Sequence, residues 1–263
     1  MKKLIGIISV LALFTSCGSH DENAISFDVV KADKTVLLSN DPNSPTCKVH
    51  LEVASAQGED QHKADVINNA IMKQLLDMQD ISMQEAVDSF ANVYTSNYVK
   101  NFLPLFNQDR DDKEKRAWYD YHYIIKSEAY AGHRGTTVYH VYLDYYEGGA
   151  HGINQHLTMN FERQTGRLLA LSDIFVNGYE QQLNAILLKA LREKTGAESL
   201  NELHDKGYLY SMDMFPSTNF ALDEETITFI YNPYEIAPYA VGATELIISY
   251  SELEGILKND FKP

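Results

Sequence analysis

Glu147 and His151 flank adjacent glycines in the run Tyr146-Glu147-Gly148-Gly149-Ala150-His151-Gly152. A carboxylate close to an imidazole is common equipment for general acid–base catalysis. Paired glycines readily adopt φ > 0, so the chain makes a tight turn here. Two readings follow. Glu147 and His151 act together on a substrate, or His151 hydrogen-bonds the turn to which it belongs, as polar turn residues usually do. The second is the simpler, and it makes the turn architectural, holding two sheet segments in register beside a binding surface.

The surroundings supply little further chemistry. His122, His133, His140, His151 and His156 fall within 35 residues, with Asp144 and Glu147 among them. Zinc needs three or four ligands converging at about 2 Å, and His-Glu-x-x-His or paired cysteines usually announce them. Neither pattern is present, so no metal and no cofactor is expected. A Gly-x-Ser-x-Gly nucleophile elbow is missing, and the glycine run lacks the lysine and spacing of a phosphate loop. A binding role suits another segment better. Tyr231, Tyr234 and Tyr239 are interleaved with Pro233 and Pro238. Rings held on a proline-stiffened loop are amphipathic and lose little entropy on contact. The alternative is a loop packed down on its own sheet.

Cys17 carries different chemistry. Lys2-Lys3 and an apolar run over 4–14 have the charged and hydrophobic regions of an export signal. That run is well short of the roughly 20 residues that span a bilayer. Phe14-Thr15-Ser16-Cys17 follows, a lipobox-like end at which the cysteine thiol would take a lipid. The expected localisation is the cell envelope, lipid-anchored and facing the periplasm or the exterior. Cys47 is then left alone, so no disulfide framework exists and stability must come from a hydrophobic core. In its apolar setting Cys47 reads as a buried structural thiol.

The formal net charge is −15, and loss of Lys2 and Lys3 with the leader would deepen it by two. Such a surface repels nucleic acid and anionic membrane and favours basic partners.

These residues need elements to position them. Residues 18–24 are a polar tether. Runs 25–30, 35–38 and 47–53 are β-rich, separated by an Asn/Pro-rich loop. An apolar stripe at spacings of three and four predicts a helix over 62–78. Ser82-Met83-Gln84-Glu85 has capping-box spacing and opens a second helix, ended by Pro104. Residues 108–116 are a charge-dense linker. Residues 117–129 and 136–146 alternate and read as a hairpin; Thr137, Tyr139, Val141, Leu143 and Tyr145 face the core. His122 and His140 could be neighbours across it. Residues 155–163 continue as strand, Ser172-Asp173 caps a short turn, and 179–194 is a helix stopped by Gly196. A hairpin spans 219–231, a strand 245–250, and the Ser251–Glu254 spacing opens a closing helix. Strands in adjacent antiparallel groups predict an α+β fold, helices packed on one face of antiparallel sheets, in two intimately joined subdomains.

With these motifs assembled, the chain resembles the RsiV-like extracytoplasmic domain family. The resemblance rests on Tyr146-Glu147-Gly148-Gly149-Ala150-His151, on Thr165-Gly166-Arg167 with Leu171-Ser172-Asp173-Ile174-Phe175, and on the Tyr231–Tyr239 segment with Gly242. The preceding region resembles the companion N-terminal domain also found in deacetylases of the PdaC type. The implied division is 1–17 signal, 18–24 tether, 25–156 PdaC-type domain and 157–263 RsiV-like domain. The best understood family member binds lysozyme, a basic glycan hydrolase, which the acidic charge suits. That member is a membrane-spanning anti-sigma factor; this sequence shows no sigma-binding segment, transmembrane helix or deacetylase domain, so neither of those roles is expected. The resemblance carries over Tyr234, Pro238 and Tyr239 as ligand contacts. The expectation is a lipid-anchored, non-catalytic envelope protein binding a lysozyme-like basic protein or a cell-wall glycan. Its alternatives are a glycan-modifying enzyme using Glu147 and His151, and an envelope scaffold.

Overall fold

Two sheets organise the chain, seen in a computed structural model that describes residues 25–109, 112 and 114–263. Cys17, the leader and the tether lie outside that range. Strands β1 (Ser26–Leu37), β2 (Thr46–Gln57), β3 (Tyr121–Ala131), β4 (Thr137–Tyr146) and β5 (Ile153–Phe161) form a five-stranded sheet in that spatial order. Its pairs are antiparallel except β2 with β3. A parallel pair needs a long crossover, and α1 (Gln61–Leu76) with α2 (Met83–Gln108) supplies it. Both helices pack on one face, where Leu51, Val53, Ile67, Ile71, Val87, Tyr139 and Val141 form a buried core. The hairpin and the inward face of β4 are as the alternation predicts, except that 117–119 belong to a 3-10 turn and the first arm begins at Tyr121.

The second sheet is antiparallel, with β6 (Phe220–Leu222), β7 (Thr226–Tyr231) and β8 (Thr244–Ser249) in order. Before it come α3 (Leu171–Ile174), α4 (Glu180–Thr195) and α5 (Leu200–Asp205); α6 (Tyr250–Leu253) follows it. Leu183, Leu187 and Leu191 of α4 meet Ile227, Phe229, Leu246 and Ile248 in a second core. Gly196 ends α4 at φ 65°. The fold is α+β, with two cores sharing one chain. β5 crosses the expected division at 156/157 and lies wholly in the first sheet, while Val138 of β4 is buried in the second core.

Four local expectations are corrected. Runs 25–30 and 35–38 are one continuous strand, because β1 is an edge strand whose polar middle pairs across to β2 through Lys31–Glu52 and Asp33–His50. Pro104 lies inside α2 instead of ending it. It forgoes one backbone hydrogen bond, but the helix holds another turn because buried Phe106 packs edge-on against Tyr119, 5.4 Å between centroids. The acceptor that caps α3 is Asp173 alone, taking the Ala170 N–H at 2.8 Å. The closing helix is boxed by Ser249 and Glu252, one overlapping spacing earlier than Ser251, since buried Tyr250 must be its first residue.

The sheets are joined by asparagine side chains that imitate a strand. Asn232 accepts the His156 N–H at 2.8 Å and donates to the His156 carbonyl at 2.9 Å. Asn219 does likewise with Thr158 N–H and His156 O. From the other side Asn160 takes the Leu222 N–H and donates to Phe220 O. A bare edge would expose a ladder of unpaired groups; here the β5 edge is closed by the other subdomain.

Candidate functional site

The glycine turn joins β4 to β5 and delivers Glu147 and His151 in different directions. Gly148 (φ 84°) and Gly149 (φ 93°) take the left-handed conformations that the sequence predicts. At Gly148 a Cβ would also come within 2.9 Å of the Trp118 carbonyl. Glu147 accepts a hydrogen bond from the Tyr94 hydroxyl of α2 at 2.7 Å. Tyr94 lies 5.0 Å from Tyr123, and burial, then the Glu147 carboxylate, pushes its hydroxyl far above the usual range. The same two causes push Tyr123 and buried Cys47 up to about 12 each.

His151 faces the second subdomain. Its ring stacks on Tyr239 with centroids 3.8 Å apart and planes 14° from parallel. Its Nδ1 is 3.0 Å from the Gly152 carbonyl, which can only accept. In the neutral ring Nε2 is then the acceptor for the Tyr234 hydroxyl at 3.2 Å. Tyr234 and Tyr239 are themselves 5.9 Å apart and near parallel. The turn-bonding reading of His151 therefore describes one of its nitrogens, and a cross-subdomain contact describes the other. Among the described residues no hydrogen bond or ion pair joins Glu147 to His151. A concerted acid–base pair is not assembled.

The tyrosine segment divides as neither reading alone proposed. Tyr231 is fully buried, with its hydroxyl on Phe215 O at 2.6 Å, whereas Tyr234 is 59% exposed. Tyr239 is half-buried and Pro238 exposed. Tyr234 sits at φ 75°, a conformation that costs a bulky residue about 1–3 kcal/mol. Its N–H bonds Ala237 O at 2.9 Å, and Asn232 N–H bonds the Glu235 carboxylate at 2.8 Å, holding the turn in place. So Asn232 anchors the segment to β5 at its start, and His151 receives it at its end.

The other histidines scatter. His122 and His140 are not neighbours: His122 lies opposite Tyr146 and bonds Asp144 at 2.9 Å, while His140 lies opposite Glu128 and meets His156 at 3.2 Å. Burial, then His156, lowers the His140 pKa. His133, on the β3–β4 connection, stacks on Tyr250 of the second subdomain at 3.8 Å. Among the described residues no group of three or more His, Cys, Asp or Glu is placed to hold a metal ion. The linking asparagines were beyond sequence reasoning; only Asn232-Pro233 carried a turn signal.

Residues 172–251, which include Tyr234, Pro238 and Tyr239, match a family described as a protein of unknown function. That family is DUF3298. A crystal structure of a DUF3298 family member from Bacteroides fragilis superposes with a TM-score of 0.84 at 29% identity, covering 91% of this chain and 96% of that one. A DUF3298 family protein from Pseudomonas aeruginosa shares the fold, with a TM-score of 0.60, 20% identity, and coverage of 90% and 97%. A curated Bacillus subtilis protein named peptidoglycan-N-acetylmuramic acid deacetylase PdaC is 25% identical over 181 residues, 68% of this chain. The match takes in 37% of that relative's length. No described helix is long and apolar enough to cross a membrane.

Proposed function

We propose that the protein is a lipid-anchored, non-catalytic binding protein of the cell envelope. Its ligand, a basic protein such as lysozyme or a cell-wall glycan, is gripped where His151, Tyr234 and Tyr239 come together. The observation that carries this reading is the stack itself. Three rings from two separate segments are gathered within 14–29° of parallel at an exposed site, the ready-made anchor that binding surfaces use. The net charge of −15 supports a basic partner, and the printed name of the curated relative supports an envelope setting. Cys17 is the proposed anchor on the strength of its lipobox-like sequence. RsiV-like kinship remains part of this proposal, resting on the motifs quoted above.

Calorimetry of the protein against lysozyme and against muropeptides tests the reading; silence with both at high micromolar concentration sinks it. Fractionation tests the anchor, since Cys17→Ala should move the protein from membranes into the soluble fraction. The catalytic alternative requires Glu147 and His151 to cooperate, and Glu147 is instead bonded to Tyr94. Turnover of peptidoglycan fragments that vanishes in His151→Ala would restore it.

A further inference from the structure

Tyr234 belongs to a second feature besides the stack, a groove of about 280 Å³ between the segment 207–212 and the turn 234–238. Buried Ile236 lines its base, and Tyr210, Met212, Tyr234 and Pro238 line its sides. Tyr210 is 82% exposed, more than any other large hydrophobic residue described, and Met212 is exposed as well. Each wall turns through a left-handed residue, Leu209 at φ 54° and Tyr234 at φ 75°. The Leu209 N–H bonds Ile236 O at 2.8 Å, which ties the two walls together. Large residues rarely hold that conformation, and strained backbone persists where the surroundings over-determine it, often at ligand clamps. Glu235 is the one charged residue in the lining; none is cationic.

We infer that this groove takes a single uncharged N-acetylated pyranose ring from a glycan. The inference rests on reading the neighbouring surface as ligand-binding. A pyranose has an apolar C–H face and a hydroxylic rim, the complement of a tyrosine ring with its polar tip. Met212 and Ile236 offer an apolar seat for the acetamido methyl, and Glu235 can accept a bond from a sugar hydroxyl. A carboxylated or phosphorylated sugar would meet Glu235 with no compensating cation in the lining, so the uncharged sugar is selected. Size points the same way: the groove is at the lower edge of the ~300–1,000 Å³ typical of ligand pockets, enough for one ring. A protein partner requires about 800 Å² on each side, more than this groove presents alone.

The test is calorimetric titration of the protein with a β-1,4-linked N-acetylglucosamine tetramer, with a maltose-type tetramer lacking acetamido groups as control. Binding of the first but not the second is expected. Tyr210→Ala should weaken it about tenfold or more, about 1.4 kcal/mol or more, with an unchanged melting temperature because the side chain is exposed. Tyr210→Phe should retain most of it. Equal affinity of Tyr210→Ala and the parent chain would overturn the inference, as would no heat from the N-acetylated tetramer. If lysozyme binds and the tetramer does not, the groove inference fails while the surface reading stands. If lysozyme, muropeptides and the tetramer all fail to bind, both fail.

Discussion

His151 employs both ring nitrogens and one ring face within a few ångströms, joining the β4–β5 turn to the tyrosine segment. Its side chain is solvent-facing, so His151→Ala should leave the fold intact while disordering Tyr234 and Tyr239. We expect ligand affinity to fall about tenfold, about 1.4 kcal/mol, measured by the same calorimetry that defines the ligand; unchanged affinity would remove the stack from the site. Cys47 gives a prediction of the opposite kind. Burial, then Glu147, pushes its thiol from 9.0 up to about 12, and Tyr121 and Tyr123 are pushed from 10.0 up to about 12. In that window the folded chain keeps protons that the unfolded chain loses, so this stability is complete below about pH 9 and declines as pH rises through about 12. Urea midpoints should therefore drop above about pH 10, with tyrosinate absorbance appearing together with unfolding. At neutral pH the thiol of a Cys17→Ser form should react with a chromogenic disulfide only after denaturation.

Between elements, the asparagine contacts carry the clearest prediction. Asn160 is 1% exposed and serves a backbone N–H and a backbone C=O of the opposite sheet. Asn160→Leu would leave both without this partner at a buried position, at about 1–3 kcal/mol for each orphaned group. The denaturation midpoint should fall by the equivalent of about 2–6 kcal/mol, and a loss below 1 kcal/mol would show that water replaces the amide. The glycine turn offers a finer comparison. Gly148 and Gly149 share a left-handed backbone, but only Gly148 has the Trp118 carbonyl where a Cβ would go. Gly149→Ala should cost about 1 kcal/mol from conformation alone. Gly148→Ala should cost clearly more, and equal melting temperatures would contradict the close approach.

At the scale of the molecule, charge separates the two ligand classes. Encounter between a −15 chain and a basic protein is screened by salt, because the Debye length shrinks from about 10 Å at 0.1 M to about 3 Å at 1 M. Binding of an uncharged glycan should change little across that range. A salt series in the same titration therefore identifies the class of ligand.

Much of the fold was legible in the residues because local rules govern it. Alternation gave the β3–β4 hairpin and its inward face, and period 3.6 gave α1 and α4. Paired glycines gave the turn, and Gly196 gave the helix stop. Errors came where two local signals compete: Pro104 against the packing of Phe106, and Ser251 against Ser249 in overlapping boxes. The site was half legible. Tyr234, Tyr239 and His151 could be singled out by type, but their meeting could not, since they lie more than 80 residues apart in sequence. The separation of Glu147 from His151 was equally hidden, because a turn fixes where side chains start and not which neighbours receive them. The sequence by itself determined the strands, the helices, the glycine turn and the acidic surface, all of which follow from neighbours along the chain. Only the tertiary structure decided that Asn160, Asn219 and Asn232 stitch the sheets together. It thereby carried the tyrosine segment to His151, since those contacts depend on which distant backbone groups are left unpaired once both sheets have formed.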